Sequence, residues 1–87
     1  MKDLNESRLI INEIDDEMKK LFLKRMETVK GVALYKKENN LPVFDESREA
    51  SMKERLAGDL DEMKPYYLNF LEAILKESKD YQKAILK

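Results

Sequence analysis

"LFLKRMETVK", residues 21–30, sits in the middle of the stretch that decides the fold. Around it, Leu4, Ile11, Ile14, Met18, Leu21 and Val32 recur at spacings of three and four. That period predicts one helix from residue 4 to about residue 38. Gly31 lowers the local propensity without disturbing the pattern, so the helix is read as continuous. At 1.5 Å per residue it would be ~50 Å long. Such a helix cannot fold back on itself and calls for a second chain beside it. In heptads, one seam column reads Leu4, Ile11, Met18, Arg25, Val32 and the other Ser7, Ile14, Leu21, Thr28, Tyr35. Arg25 therefore falls where an apolar residue is due.

The rest of the chain is also helical in character. It has 87 residues, with two glycines and two prolines. Met, Leu, Ala, Glu and Lys abound, and these favour helices. A single domain spanning 1–87 is expected, and one this small has a marginal core that a partner chain would help stabilise. "ENNLPVFD" (38–45) breaks the pattern. Asn39 and Asn40 can end a helix, and Pro42 keeps Leu41 out of the helical region. Asp45 is a good N-cap for a second helix, with Glu46 in its first turn. Met52, Leu56, Leu60 and Met63 are assigned to that helix. "MKPYY" starts a third, with Pro65 suited to its first turn. Its stripe is Tyr67, Leu71, Ile74, Ser78, Tyr81 and Ile85. The fold class is all-α, three helices per chain.

Composition excludes several functions. The 17 basic and 18 acidic residues are interleaved and give a net charge of −1. Such a surface has no basic footprint for nucleic acid. No apolar run approaches the ~20 residues needed to span a membrane. "MKDLNESRL" lacks the apolar core of a signal peptide, so a cytoplasmic location is expected. Cysteine and histidine are both absent. A disulfide framework, a Ser-His-Asp triad, a Cys-His pair and a typical zinc site are therefore ruled out. No metal and no cofactor is expected. An enzyme built from this chain must run a reaction that needs neither imidazole nor thiol.

Polar residues in apolar places are the remaining signal. Arg25 is one, and Ser78 on the third-helix stripe is another, with Gln82 one turn further on the same side. Register control is one reading, since a single polar residue in a seam can fix partner and alignment. The other is a ligand. A buried arginine needs an anionic partner, and neither seam column contains an acid. A ligand carboxylate would fit its planar fork. Lys36 lies eleven residues after Arg25, close to three turns, and points roughly the same way. Taken alone, Lys36 reads as a solvated lysine, and Arg48 and Glu49 as a solvated pair.

Taken in order, these residues closely resemble the all-helical class of chorismate mutase (type II, the intertwined dimer). The likeness runs through "SRLIINEIDDEMKKLFLKRMETV", "YKKENNLPVFDESRE" and "LKESKDYQ" and leaves only 50–65 without signature. The resemblance implies an intertwined helical homodimer that converts chorismate to prephenate, towards phenylalanine and tyrosine. It implies substrate-binding positions at Arg8, Arg25, Lys36, Asp45, Arg48, Glu49, Ser78 and Gln82. Arg25 and Arg8 would bind the substrate carboxylates, with Arg8 supplied in trans by the other subunit. Lys36 and Gln82 would reach the ether oxygen. Glu49 would hold the ring hydroxyl with the segment around Asp45 nearby, and Ser78 and Arg48 would complete the pocket. Catalysis would rest on Lys36, Gln82 and Arg25. The resemblance leaves room for association with another shikimate-pathway enzyme.

The chemistry agrees with that implication. The rearrangement is unimolecular and pericyclic, so it needs no nucleophile, base or cofactor, which suits a chain without His or Cys. A protein can add restraint and electrostatics. Spacing also favours the trans arginine. Arg8 and Arg25 are 17 residues apart, roughly 25 Å along one helix. One chorismate cannot meet both from the same chain, whereas an antiparallel partner helix could bring in the second. Two rivals stand beside this reading: an isochorismate-pyruvate lyase on the same scaffold, and a non-catalytic helical dimerisation module.

Overall fold

The structure, a computed structural model, describes residues 3–87; the first two positions of the expected 1–87 domain lie outside the described residues. Three helices follow in order: α1 Leu4–Glu38, α2 Glu46–Ala57 and α3 Lys64–Leu86. The all-α expectation with a long first helix is met. α3 lies between the other two, packing on α1 along one side and on α2 along another. The molecule measures 54 × 26 × 15 Å. The long dimension is that of α1, whose 35 residues at 1.5 Å each give about 52 Å.

Local chemistry sets the boundaries. Asp3 caps α1, its side chain accepting from the Glu6 amide at 2.8 Å. Glu6 lies in the first turn and Lys36 and Lys37 in the last, each with the sign that the helix dipole favours. The Asn39–Asn40 stop takes a specific form. Asn40 adopts φ 54°, the left-handed region that asparagine tolerates. The Leu41 amide then donates to the Lys36 carbonyl at 2.9 Å, and the Asn40 amide to the Lys37 carbonyl at 3.5 Å. This is a Schellman motif with Asn in the place usually held by Gly. Asp45 caps α2 as expected, accepting from the Arg48 amide at 3.0 Å. Pro65 falls in the first turn of α3, which begins without a side-chain cap.

One expectation needs correcting. Leu60 and Met63 do not belong to α2, which stops at Ala57. Gly58 is a poor helix former, and Asp59, Asp61 and Glu62 follow it. Three carboxylates just past a helix C-terminus oppose its dipole, so the chain leaves the helix there. Two turns bridge to α3 instead, with Leu60 donating to the Ala57 carbonyl and Lys64 to that of Asp61, both at 3.1 Å.

The core is small and sits where α2 meets α3. Met52, Leu71 and Leu75 are buried there, with Leu56 and Tyr67 against them. On α1 only Val29 and Ala33 are buried, both in its C-terminal half. The apolar seam N-terminal to them is open: Ile11, Ile14 and Leu21 are 50% exposed or more. Among the described residues no helix is long and apolar enough to cross a membrane.

Candidate functional site

The three helices line a half-open cavity of about 220 Å³ beside the core. That is slightly below the ~300 Å³ at which drug-sized pockets begin, a size for one small ring. Seven of the eight residues singled out in sequence line it. α1 contributes Arg25 and Lys36, the start of α2 contributes Asp45, Arg48 and Glu49, and α3 contributes Ser78 and Gln82. Val29, Val32, Met52 and Leu75 supply apolar wall between them. The eighth, Arg8, is exposed near the far end of α1 and does not reach the cavity.

Arg25 sits in the seam, half-buried. Its guanidinium donates to the Ser78 hydroxyl on α3, and that hydroxyl donates in turn to the Ile74 carbonyl at 2.9 Å. Neither partner is an acid. The guanidinium is thus oriented by a neutral group while its charge stays available at the cavity wall. A guanidinium has five N–H donors, so most remain for a ligand.

Lys36 is not the solvated side chain that its position alone suggests. Its ammonium donates to the Val43 carbonyl at 2.8 Å and to the Gln82 side-chain oxygen at 3.1 Å. Two of its three donors are used, and the third is left for the cavity. The contact also fixes Gln82. An ammonium can only donate, so the amide oxygen must face Lys36 and the NH₂ must face elsewhere. Gln82 is 6% exposed, and among the described residues its amide nitrogen has no hydrogen-bond partner in the protein and is not sealed off. Two adjacent donors from different helices therefore converge on one region of the cavity.

Glu49 pairs with Lys79 rather than with its neighbour Arg48. The Lys79 ammonium lies 3.2 Å from Oε2 and 3.3 Å from Oε1 of Glu49. Sequence reading passed over Lys79, Val43 and Thr28, all of which line the cavity. Val43 acts through its backbone and leaves no side-chain signal. Lys79 follows Ser78 directly, which was the one available hint. In all, four cations (Arg25, Lys36, Arg48, Lys79) and two anions (Asp45, Glu49) face the cavity, an excess of two positive charges.

Three further ion pairs, Lys20–Glu17, Lys53–Glu72 and Lys76–Asp80, belong to the outer surface. Hydrogen bonding to Lys53 holds the Glu72 carboxyl below its ordinary pKa and raises that of Lys53. Lys76 does the same to Asp80, and its own pKa rises in return. None of these six residues lines the cavity. Among the described residues no group of three or more His, Cys, Asp or Glu is arranged to hold a metal ion.

A second hollow, about 500 Å³ and almost wholly apolar, lies between the open halves of α1 and α3. Met18, Leu21, Phe22, Phe70 and Ile74 line it, with Arg25 on the wall it shares with the cavity. It is larger than the cavity, but it has the character of an unfilled helix-packing seam and carries almost no polar chemistry.

Fold and site together define an all-helical protein with a small cationic cavity inside its bundle. Residues 7–83 match the family model described as chorismate mutase type II, and the chain belongs to that family. Membership supports chorismate mutase activity, an isomerase reaction, in general terms. Among curated proteins and among solved structures nothing matches the chain.

Proposed function

We propose that the protein converts chorismate to prephenate in a cofactor-free rearrangement, as a homodimer whose sites each take Arg8 from the partner. The observation that carries the reading is the convergence of Lys36 and Gln82 beside Arg25. The reaction breaks the ether C–O bond and forms a C–C bond in one cyclic flow of electrons, with no proton transferred. Bond breaking runs ahead of bond making, so negative charge collects on the ether oxygen. The third N–H of Lys36 and the NH₂ of Gln82 are two preorganised donors for that charge. One such donor contributes roughly 3 kcal/mol of transition-state stabilisation. Arg25 takes one substrate carboxylate, and its bond to Ser78 spares it from searching orientations. Glu49 accepts the ring hydroxyl. The lining is already cationic before the partner's Arg8 is added, the sign of charge that a dianion requires.

The dimer rests on surface area and charge placement. A compact monomer of 10.3 kDa should expose about 5,400 Å², whereas this chain exposes 7259 Å². The excess, about 1,900 Å², is in the range one partner buries in a large obligate interface. An α1 from a second copy would fill the apolar hollow beside Arg25, and an antiparallel crossing would carry its Arg8 to the cavity.

The test is loss of chorismate absorbance with purified protein and no added cofactor, run beside isochorismate. Chorismate should be consumed without release of pyruvate. Turnover of isochorismate alone, with pyruvate released, would point to the lyase. No turnover of either would leave a dimerisation module.

A further inference from the structure

Lys79 stands out once the site is assembled. Its ammonium straddles both oxygens of Glu49, at 3.2 and 3.3 Å, and lies 4.8 Å from the centre of the Phe44 ring. Lys79 and Glu49 both line the cavity. Exposure separates this ion pair from the others. Side-chain exposure is 26% for Lys79 and 14% for Glu49, against 36% and 55% for Lys53 and Glu72, 70% and 50% for Lys76 and Asp80, and 75% and 69% for Lys20 and Glu17. Exposed pairs contribute little. In a partly desolvated pair, removing one partner leaves the other's charge less compensated than it would be in open water. The Lys79 ammonium is also held on two sides, by a carboxylate and by an aromatic face. It is thus spent on protein groups, whereas Glu49 keeps spare acceptor sites, since a carboxylate offers about four.

We propose that Lys79 is a positioning residue: it holds the Glu49 carboxylate in place and aimed into the cavity, where Glu49 accepts a hydrogen bond from the hydroxyl of the substrate ring. This rests on the proposed mutase reading. Lys79 does not touch substrate in this account, and its whole effect passes through Glu49. Because the hydroxyl is gripped alike in ground and transition states, loss of Lys79 weakens binding rather than chemistry.

The experiment is a kinetic double-mutant cycle with chorismate on the full chain: wild type, Lys79→Met, Glu49→Gln and the double variant. Met keeps an apolar stem against Phe44 and removes the charge. In the wild-type background Lys79→Met should raise KM about tenfold with kcat within about twofold. In the Glu49→Gln background it should change kcat/KM by less than about twofold. Lys79→Arg, which can also span both carboxylate oxygens, should stay within about threefold of wild type. Should Lys79→Met fail to fold by circular dichroism, Lys79→Gln takes its place in the cycle. Equal losses in both backgrounds, or a fall in kcat at unchanged KM, would overturn the positioning role while leaving the mutase reading intact. A folded wild type that does not turn over chorismate would overturn both.

Discussion

Lys36 on α1 donates to the side-chain oxygen of Gln82 on α3 across 3.1 Å, joining residues 46 positions apart in sequence. The same ammonium holds the Val43 carbonyl at 2.8 Å. One lysine thereby orients an amide on one side of the cavity and anchors the α1–α2 segment on the other. Lys36→Ala removes a donor and both tethers. Activity on chorismate should fall about 100- to 1000-fold in kcat, the usual loss for one preorganised donor. Steady-state kinetics would check this; a loss of less than tenfold would mean that Lys36 faces no developing charge.

Gln82→Glu probes the same oxygen. The new carboxylate would pair with Lys36 and be ionised at neutral pH, since an ordinary Glu titrates near 4.3. Facing the ether oxygen, it repels the charge that builds there. Protonated, it donates again. The variant should be nearly inactive at about pH 7.5 and recover as pH falls towards about 5. A pH profile parallel to wild type would remove Gln82 from the mechanism.

Asp45 has two separable duties. Its carboxylate caps α2 through the Arg48 amide at 3.0 Å, and it also lines the cavity. Asn caps as well as Asp, and Ala does not. Asp45→Ala should lose about 1 kcal/mol of stability, whereas Asp45→Asn should melt with wild type. Thermal unfolding of both variants measures the difference, and equal melting temperatures for Ala and Asn would show that the cap contributes nothing.

How much of this was legible beforehand depends on where each signal was stored. α1 was readable because its heptad columns are local and long. Its stop was readable because Asn39 and Asn40 have few other uses. Arg25 announced itself by interrupting a column, and its bond to Ser78 explains why both polar residues occupy stripe positions. The end of α2 was misread because Leu60 and Met63 keep the apolar spacing while Gly58 and the acids after it break the backbone. The Lys79–Glu49 pair was missed because its partners are 30 residues apart and each looks like an ordinary charged helix residue. Only the packing of α2 on α3 brings them together and partly shields them from water.

Metal removal offers a separate check. The proposed chemistry uses only side-chain donors, so activity should survive exhaustive chelation at full rate. Inactivation by chelator, reversed by adding back a divalent metal, would require a different mechanism.

The measurement closest to the central claim, a chorismate site completed by a second chain, is co-refolding of two inactive variants. Arg8→Ala and Arg25→Ala homodimers should each be nearly inactive, because each leaves a substrate carboxylate unpaired. In a mixed dimer one site has both arginines and the other has neither. Random pairing makes half the dimers mixed, and half of their sites are whole. About a quarter of wild-type chorismate turnover should return, by counting equivalent sites in a symmetric dimer. If both arginines acted within one chain, every site would lack one of them. No recovered turnover, with mixed dimers shown to be present, would contradict the account.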